Sequence, residues 1–309
     1  MSNATLAEWP KHYAQGKVVS YRFYRKVSGT TLVAIVGFQG VQGAYSEQAI
    51  RQHFGADVEV KPVPSLGELF AAIQSREVTY GMLPIENALA GAVSQAYELL
   101  MDYDLRIQAE VILHVHHALL APHGTKLEGL RRVYSHPQAL AQCDRFLKRH
   151  HIEGVPNYDT AGSARELAQS PQPDTGAIAS RLAGELYGLD VLADEIEDVP
   201  FNFTRFFVLG HDDPPLGDYN KTSLVFATRN KPSALYDCLG EFAAQGLNLT
   251  KIESRPRRNR PWEPVFYLDF EGHWQDATCQ QALARLLQRA SFVKMLGSYP
   301  AVKTESVGI

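Results

Sequence analysis

The chain has 309 residues, 45% of them hydrophobic and 21% charged, with 30 basic against 34 acidic side chains and a net charge of −4. That length suits about two domains, and the charge balance argues against a general role on nucleic acid or an anionic membrane surface. Cys143, Cys238 and Cys279 form no CxxC pair, which argues against disulfides and zinc and fits a reducing, cytoplasmic compartment; no apolar run reaches the ~18 residues of a membrane span.

Residues 1–31 read as an N-terminal extension. They carry Lys11, Lys17, Arg22, Arg25 and Lys26 against Glu8 and lack the apolar core of a secretory signal. Leu32–Phe38 is a short apolar run before glycines and predicts a buried strand. A helix follows over Ser46–Phe54. Ser65–Ser75 puts Leu66, Leu69, Phe70 and Ile73 on one helical face. Val78–Ile85 and Val111–Leu120 read as strands, the second carrying His114, His116 and His117. Arg132–Ser135 ends a strand, and Pro137–His150 reads as one helix. Thr160–Gln169 is helical, with Ser163 and Glu166 spaced as a capping box. Gly176–Ala179 is a strand, Ser180–Tyr187 a helix and Thr204–Leu209 a strand. Strands alternating with helices predict parallel α/β sheets, and the length of this block predicts two α/β lobes with a cleft between them.

His211–Asn220, rich in Asp, Pro and Gly, reads as a linker. Beyond it come a strand at Thr222–Thr228, a helix at Ala234–Gln245, strands at Leu249–Ser254 and Val265–Glu271, a helix at Ala277–Ala290 and a strand at Val293–Tyr299. That βαββαβ order is a ferredoxin-like unit.

Several segments could carry chemistry. Gly37, Gly40 and Gly43 have GxxGxxG spacing, not a nucleotide fingerprint, and suit a tight turn or a close backbone approach. Ser135-His136-Pro137-Gln138 and Asp159-Thr160-Ala161-Gly162-Ser163 each open a helix. Such a start is either a plain capped helix or a place where free N–H groups receive a carboxylate. Asp174-Thr175-Gly176 lacks the matched partner of an aspartic protease. The three histidines lack further nearby ligands for a metal and read as structural. Arg255, Arg257, Arg258 and Arg260 read as a solvated hairpin tip.

Taken together, Gly43-Ala44-Tyr45-Ser46, Pro84-Ile85-Glu86-Asn87, Ser135-His136-Pro137-Gln138, Asp159-Thr160-Ala161, Asn202-Phe203-Thr204-Arg205-Phe206 and Glu253-Ser254-Arg255-Pro256 resemble, in order, the motifs of the prephenate dehydratase family. The likeness runs from Val33 to Val302, and the C-terminal unit resembles the ACT domain, a small amino-acid sensor. With no chorismate-mutase-like helical domain ahead of the block, the pattern is similar to the monofunctional type. The resemblance implies a catalytic region at 32–212 built of two lobes similar to periplasmic binding proteins, a linker at 213–220, an ACT domain at 221–303 and a tail at 304–309. It implies a lyase without cofactor or metal that converts prephenate to phenylpyruvate, carbon dioxide and water in L-phenylalanine biosynthesis. Phenylalanine would act as allosteric effector on a homodimer or homotetramer.

The family's essential threonine maps onto Thr204. Asn87, Ser135, Gln138, Thr160 and Ser163 are the expected polar lining. Strand alternation places Phe206 on the Thr204 face, against the substrate ring, and Arg205 on the other, where it either reaches a carboxylate around the strand end or is structural. Ser233, Ala234, Leu235, Asn248, Leu249, Glu253 and Ser254 are the expected effector residues, with Glu253 facing an ammonium or pairing with Arg255. Three positions depart from the family pattern: Ala88 after the Glu-Asn pair, Ser233 in place of the sensor's glycine, and Pro264 after Trp262-Glu263. Two other readings stand beside this one: arogenate as substrate, giving phenylalanine directly, and a non-catalytic ligand-binding sensor.

Overall fold

Short apolar strands separated by amphipathic helices leave few ways to bury both faces of a sheet, and the computed structural model shows how this chain does it. The structure describes residues 34–257 and 260–302 and two short paired strands, Arg25–Val27 and Thr30–Leu32. Most of the 1–31 extension, Arg258 and the 304–309 tail lie outside the described residues, as do the side chains of Arg260 and Trp262. The chain divides into two units: the described residues of 33–219 and 299–309, and those of 1–32 and 220–298.

The larger unit has two lobes. In the first, the strand order is Glu59–Val63, Ile35–Gln39, Tyr80–Asn87, Phe203–Gly210, Arg106–His114, with Gly91–Ala92 paired beside Tyr80–Asn87. In the second it is Glu153–Pro156, Arg132–Ser135, Thr175–Ala179, Ala118–Ala121, Asp190–Ala193. The sheets are mixed rather than wholly parallel. Ile35–Gln39 pairs in parallel with both its neighbours, but Phe203–Gly210 runs antiparallel to both of its own. The cause is topological: the chain leaves the first lobe after His114 and returns to it only at Phe203, as an inserted strand running against its neighbours.

Two expectations about single elements are corrected. Val111–Leu120 is not one strand. It breaks at Val115–His117, so that Arg106–His114 belongs to one sheet and Ala118–Ala121 to the other. Pro137–His150 is not one helix but two, Pro137–Gln142 and Asp144–His150, meeting at Cys143. One apolar cluster runs through both lobes, from Phe38, Ile50, Met82 and Phe206 to Leu120, Ala164 and Ala183. Each fully buried large side chain contributes about 1.5–3 kcal/mol, so this shared core ties the lobes together.

The smaller unit has the βαββαβ order: Asn220–Ala227, helix Ala234–Ala243, Leu249–Arg257, Arg260–Glu271, helix Ala277–Arg289 and Phe292–Pro300. Its sheet order is Leu249–Arg257, Arg260–Glu271, Asn220–Ala227, Phe292–Pro300. Leu224, Phe226, Phe242, Leu268, Phe270 and Leu283 pack between sheet and helices. Among the described residues no helix is long and apolar enough to cross a membrane.

Candidate active site

Gly43 starts the construction of the site. Its φ of +85° suits glycine, and it turns the chain into the helix Tyr45–Phe54. The buried Glu47 carboxylate accepts the Gly43 N–H at 2.8 Å and pairs with Arg51 at 2.6 Å. Ser180 Oγ, from the second lobe, donates to the Gly43 carbonyl at 2.5 Å. Tyr45 is thereby held at the meeting of the lobes.

The two crossing segments run side by side there. Val115 N–H donates to the Asn202 carbonyl at 2.7 Å, and Ile196 N–H to the His117 carbonyl at 3.0 Å. Glu197 accepts from the His117 N–H at 2.9 Å and meets His116 Nδ1 at 2.7 Å. Between the lobes lies a cavity of about 180 Å³, lined by Tyr45, Asn87 and Thr204 from the first lobe, by His117 and Asn202 from the crossings, and by His136, Gln138, Gln142 and Thr160 from the second, with Val115 and Ala139 completing the wall.

Its polar side chains are linked. Asn87 Nδ2 donates to Thr204 Oγ1 and to Asn202 Oδ1, each at 2.9 Å. Asn202 Nδ2 donates to Gln142 Oε1 at 3.2 Å. His117 Nε2 lies 2.7 Å from the same oxygen, and His117 Nδ1 lies 2.6 Å from the Tyr45 hydroxyl. Burial raises the Tyr45 phenol well above its ordinary range, helped by the nearby Cys143 and Glu197. Burial also lowers His117, against the opposing hydrogen bond from Gln142 and the Glu197 charge. Both groups are therefore neutral near pH 7.

Of the residues expected to line the site, the structure brings together Asn87, Gln138, Thr160 and Thr204. It does not bring in four others. Ser135 is fully buried and donates to the Ile178 carbonyl at 2.6 Å. Ser163 donates to the Asp159 carbonyl at 2.7 Å from inside its helix. Asp159, not Ser163, caps that helix, accepting from the Gly162 N–H, while Glu166 takes the Asn157 amide instead. Phe206 lies two residues further along the strand than Thr204, in the apolar core. Arg205 turns away: it pairs with the buried Glu110 at 2.6 Å and lies over the Phe207 ring at 4.8 Å. The N–H groups offered to carboxylates are also partly spent, since His136 Nδ1 accepts from Gln138 N–H at the start of the short helix.

Tyr45, His117, His136, Gln142 and Asn202 are the polar cavity residues absent from the expected lining. Gln142 stands four residues beyond Gln138 and so on the same helical face; that spacing was a usable signal. A histidine inside an apolar run also needs a buried partner, and His117 finds two.

In the smaller unit, Ser233 adopts φ +65° at the N-cap of its helix, with no side-chain capping bond. Ala234 is buried, and Leu235 and Leu249 pack against the core. The Asn248 carbonyl accepts from Glu271 N–H, and Ser254 is exposed. Glu253 pairs with Arg255 at 2.8 Å and Lys251 at 3.3 Å.

Residues 36–214 match the family model for prephenate dehydratase. The bifunctional chorismate mutase/prephenate dehydratase of Neisseria gonorrhoeae is 39% identical over 285 residues, covering 90% of this chain and 79% of that protein. Among solved structures, the prephenate dehydratase of Arthrobacter aurescens in complex with L-Phe is 32% identical, covers 86% of this chain and 90% of its own, and superposes with a TM-score of 0.80. A structure described as GqqA, a novel type of quorum quenching acylase, is 34% identical, covers 88% of this chain and 99% of its own, and gives 0.82. Motif order, lobed architecture and these likenesses agree: the chain belongs to the prephenate dehydratase family.

Proposed function

We propose that the cavity around Thr204 converts prephenate to phenylpyruvate, carbon dioxide and water, as a cytoplasmic step of L-phenylalanine synthesis, with no cofactor, and that the smaller unit, an ACT domain, senses phenylalanine. The carrying observation is the Asn87–Thr204 hydrogen bond. The amide donates, so the Thr204 hydroxyl keeps its own hydrogen for the cavity. The reaction needs one proton at the departing ring hydroxyl, while the electron pair of the breaking C–carboxylate bond enters the ring and makes it aromatic. A hydroxyl is a weak acid in water; its value lies in placement against the leaving oxygen. A positioned general acid supplies about 10²–10⁴-fold. Gln138, Gln142 and Thr160 face the same space and suit the substrate's carboxylates and keto oxygen.

The acylase relative suggests another chemistry, but an acyl-transfer nucleophile needs an adjacent base. The Thr204 hydroxyl is bonded to an amide donor, not to a base, and this favours the dehydratase.

Phenylalanine, on this reading, binds between two paired smaller units of a dimer or tetramer, near Ser233–Leu235, Asn248, Leu249 and Ser254. Glu253, already paired with Arg255, is a partner of that arginine before it is one of the ligand. The deciding experiment measures turnover of prephenate and arogenate by the full chain and by residues 1–220, each with and without phenylalanine, with mass in solution followed in parallel. The expected result is prephenate turnover by both and inhibition of the full chain only. No turnover of either compound by the full chain overturns the enzyme reading, and equal inhibition of both forms overturns the sensor.

A further inference from the structure

The polar side chains of the cavity form one connected chain from Thr204 to Tyr45, and its direction follows from two backbone groups. The N–H groups of Leu89 and Ala90 donate to Asn87 Oδ1 at 3.1 and 2.9 Å. A backbone N–H is only ever a donor, so the Asn87 amide cannot be turned over, and its Nδ2 is what faces Thr204 and Asn202. Asn202 must then offer Oδ1 to Asn87 and Nδ2 to Gln142. Gln142 must offer Oε1, and His117 Nε2, 2.7 Å from that oxygen, must carry a hydrogen. In a neutral ring Nδ1 is then a lone pair, and the Tyr45 hydroxyl, 2.6 Å from it and 3.1 Å from the His116 carbonyl, donates to the nearer acceptor.

The outcome is a sorting of donors from acceptors. Gln142 Oε1 accepts two hydrogen bonds, and Asn202 Oδ1 and Thr204 Oγ1 are each occupied. The Gln142 NH2 and the Thr204 hydroxyl hydrogen remain for the cavity. His136, whose Nδ1 accepts from Gln138 N–H, adds its Nε2–H. The opposite histidine tautomer would set a nitrogen lone pair against Gln142 Oε1. Relieving that contact by turning Gln142 over would bring its NH2 against Asn202 Nδ2 and point its oxygen at an anionic ligand. One ring hydrogen thus decides whether the cavity wall attracts or repels a carboxylate.

We propose that Tyr45 and His117 are positioning residues, which hold the Gln142 amide with its oxygen inward and its NH2 toward the substrate. This inference rests on the dehydratase reading of the cavity, but its structural half can be tested without turnover. In protein labelled with ¹⁵N-histidine, two-bond ¹⁵N–¹H correlation spectra identify the tautomer, and the His117 signals are those lost in His117→Gln. The expected result at neutral pH is a protonated Nε2 and a bare Nδ1, with the Nδ1 resonance displaced in Tyr45→Phe. In kinetics, His117→Leu is expected to raise KM for prephenate about 10-fold or more. His117→Gln, whose amide N–H reaches toward Gln142 from the place of Nε2, recovers most of that loss. Tyr45→Phe, which removes a single oxygen, shows a smaller rise in KM. A ring protonated on Nδ1, a charged ring, or Leu and Gln variants that are folded and equally impaired would overturn the proposal. A bare Nδ1 in an enzyme that turns over no prephenate would uphold the relay and overturn the dehydratase reading instead.

Discussion

Asn87 Nδ2 lies 2.9 Å from Thr204 Oγ1, across directly paired positions of neighbouring antiparallel strands. Thr204 pairs with Asn87 and Arg205 with Glu86, and a register shift follows before Phe206 meets Pro84. The pairing that aligns the amide with the hydroxyl is thus a property of the sheet, not of a mobile loop.

Thr204→Val removes the hydroxyl from a side chain of nearly the same shape. Turnover is expected to fall by about two orders of magnitude or more, mainly in kcat, with melting behaviour little changed. Thr204→Ser keeps the oxygen and is expected to retain more activity. Near-normal kcat in a folded Val variant would falsify the role of general acid.

Arg205 points into the sheet rather than into the cavity, and its expected effect is on stability. Its guanidinium, 16% exposed, neutralises the fully buried Glu110 carboxylate. Arg205→Met is expected to cost about 3–5 kcal/mol by removing a cation paired with that buried carboxylate, and adding Glu110→Leu to restore much of the loss. Denaturant titrations of the two variants and the wild type check this. A tenfold rise in KM at unchanged stability would put Arg205 on the substrate after all.

Ser233 holds a left-handed conformation that a Cβ disfavours. Ser233→Gly is expected to stabilise the protein by about 1 kcal/mol, less the extra freedom glycine gives the unfolded chain. Ser233→Ala keeps the Cβ and gains nothing. Equal denaturation midpoints for all three would show that the helix start relaxes without strain.

The βαββαβ order and the paired lobes were legible because period-2 and period-3.6 apolar patterns alternate with short breaks. The crossing at Val115–His117 was not, because Val111–Leu120 has no glycine or proline to mark it, and its histidines find partners only in the folded state. Ser135 and Ser163 show a second limit. A hydroxyl can be placed in sequence, but whether a carbonyl of its own lobe lies within reach cannot. Phe206 shows a third: alternation assigns a face, not a depth. Gln142 was readable from helical spacing, whereas the polarity of its amide depends on Leu89 and Ala90, more than fifty residues earlier in the chain.

Gly43 has a mechanical meaning beyond its turn. A Cβ there would sit 2.8 Å from Ala183 Cα and 2.9 Å from its Cβ, closer than carbon atoms tolerate. Since Gly43 belongs to one lobe and Ala183 to the other, the gauge between the lobes at this point is a single hydrogen atom. Any larger side chain would act as a wedge two residues from Tyr45, prising the wall that carries Asn87 and Thr204 from the wall that carries Gln138 and Gln142. The aperture of the cavity is thus machined by a residue that does not line it.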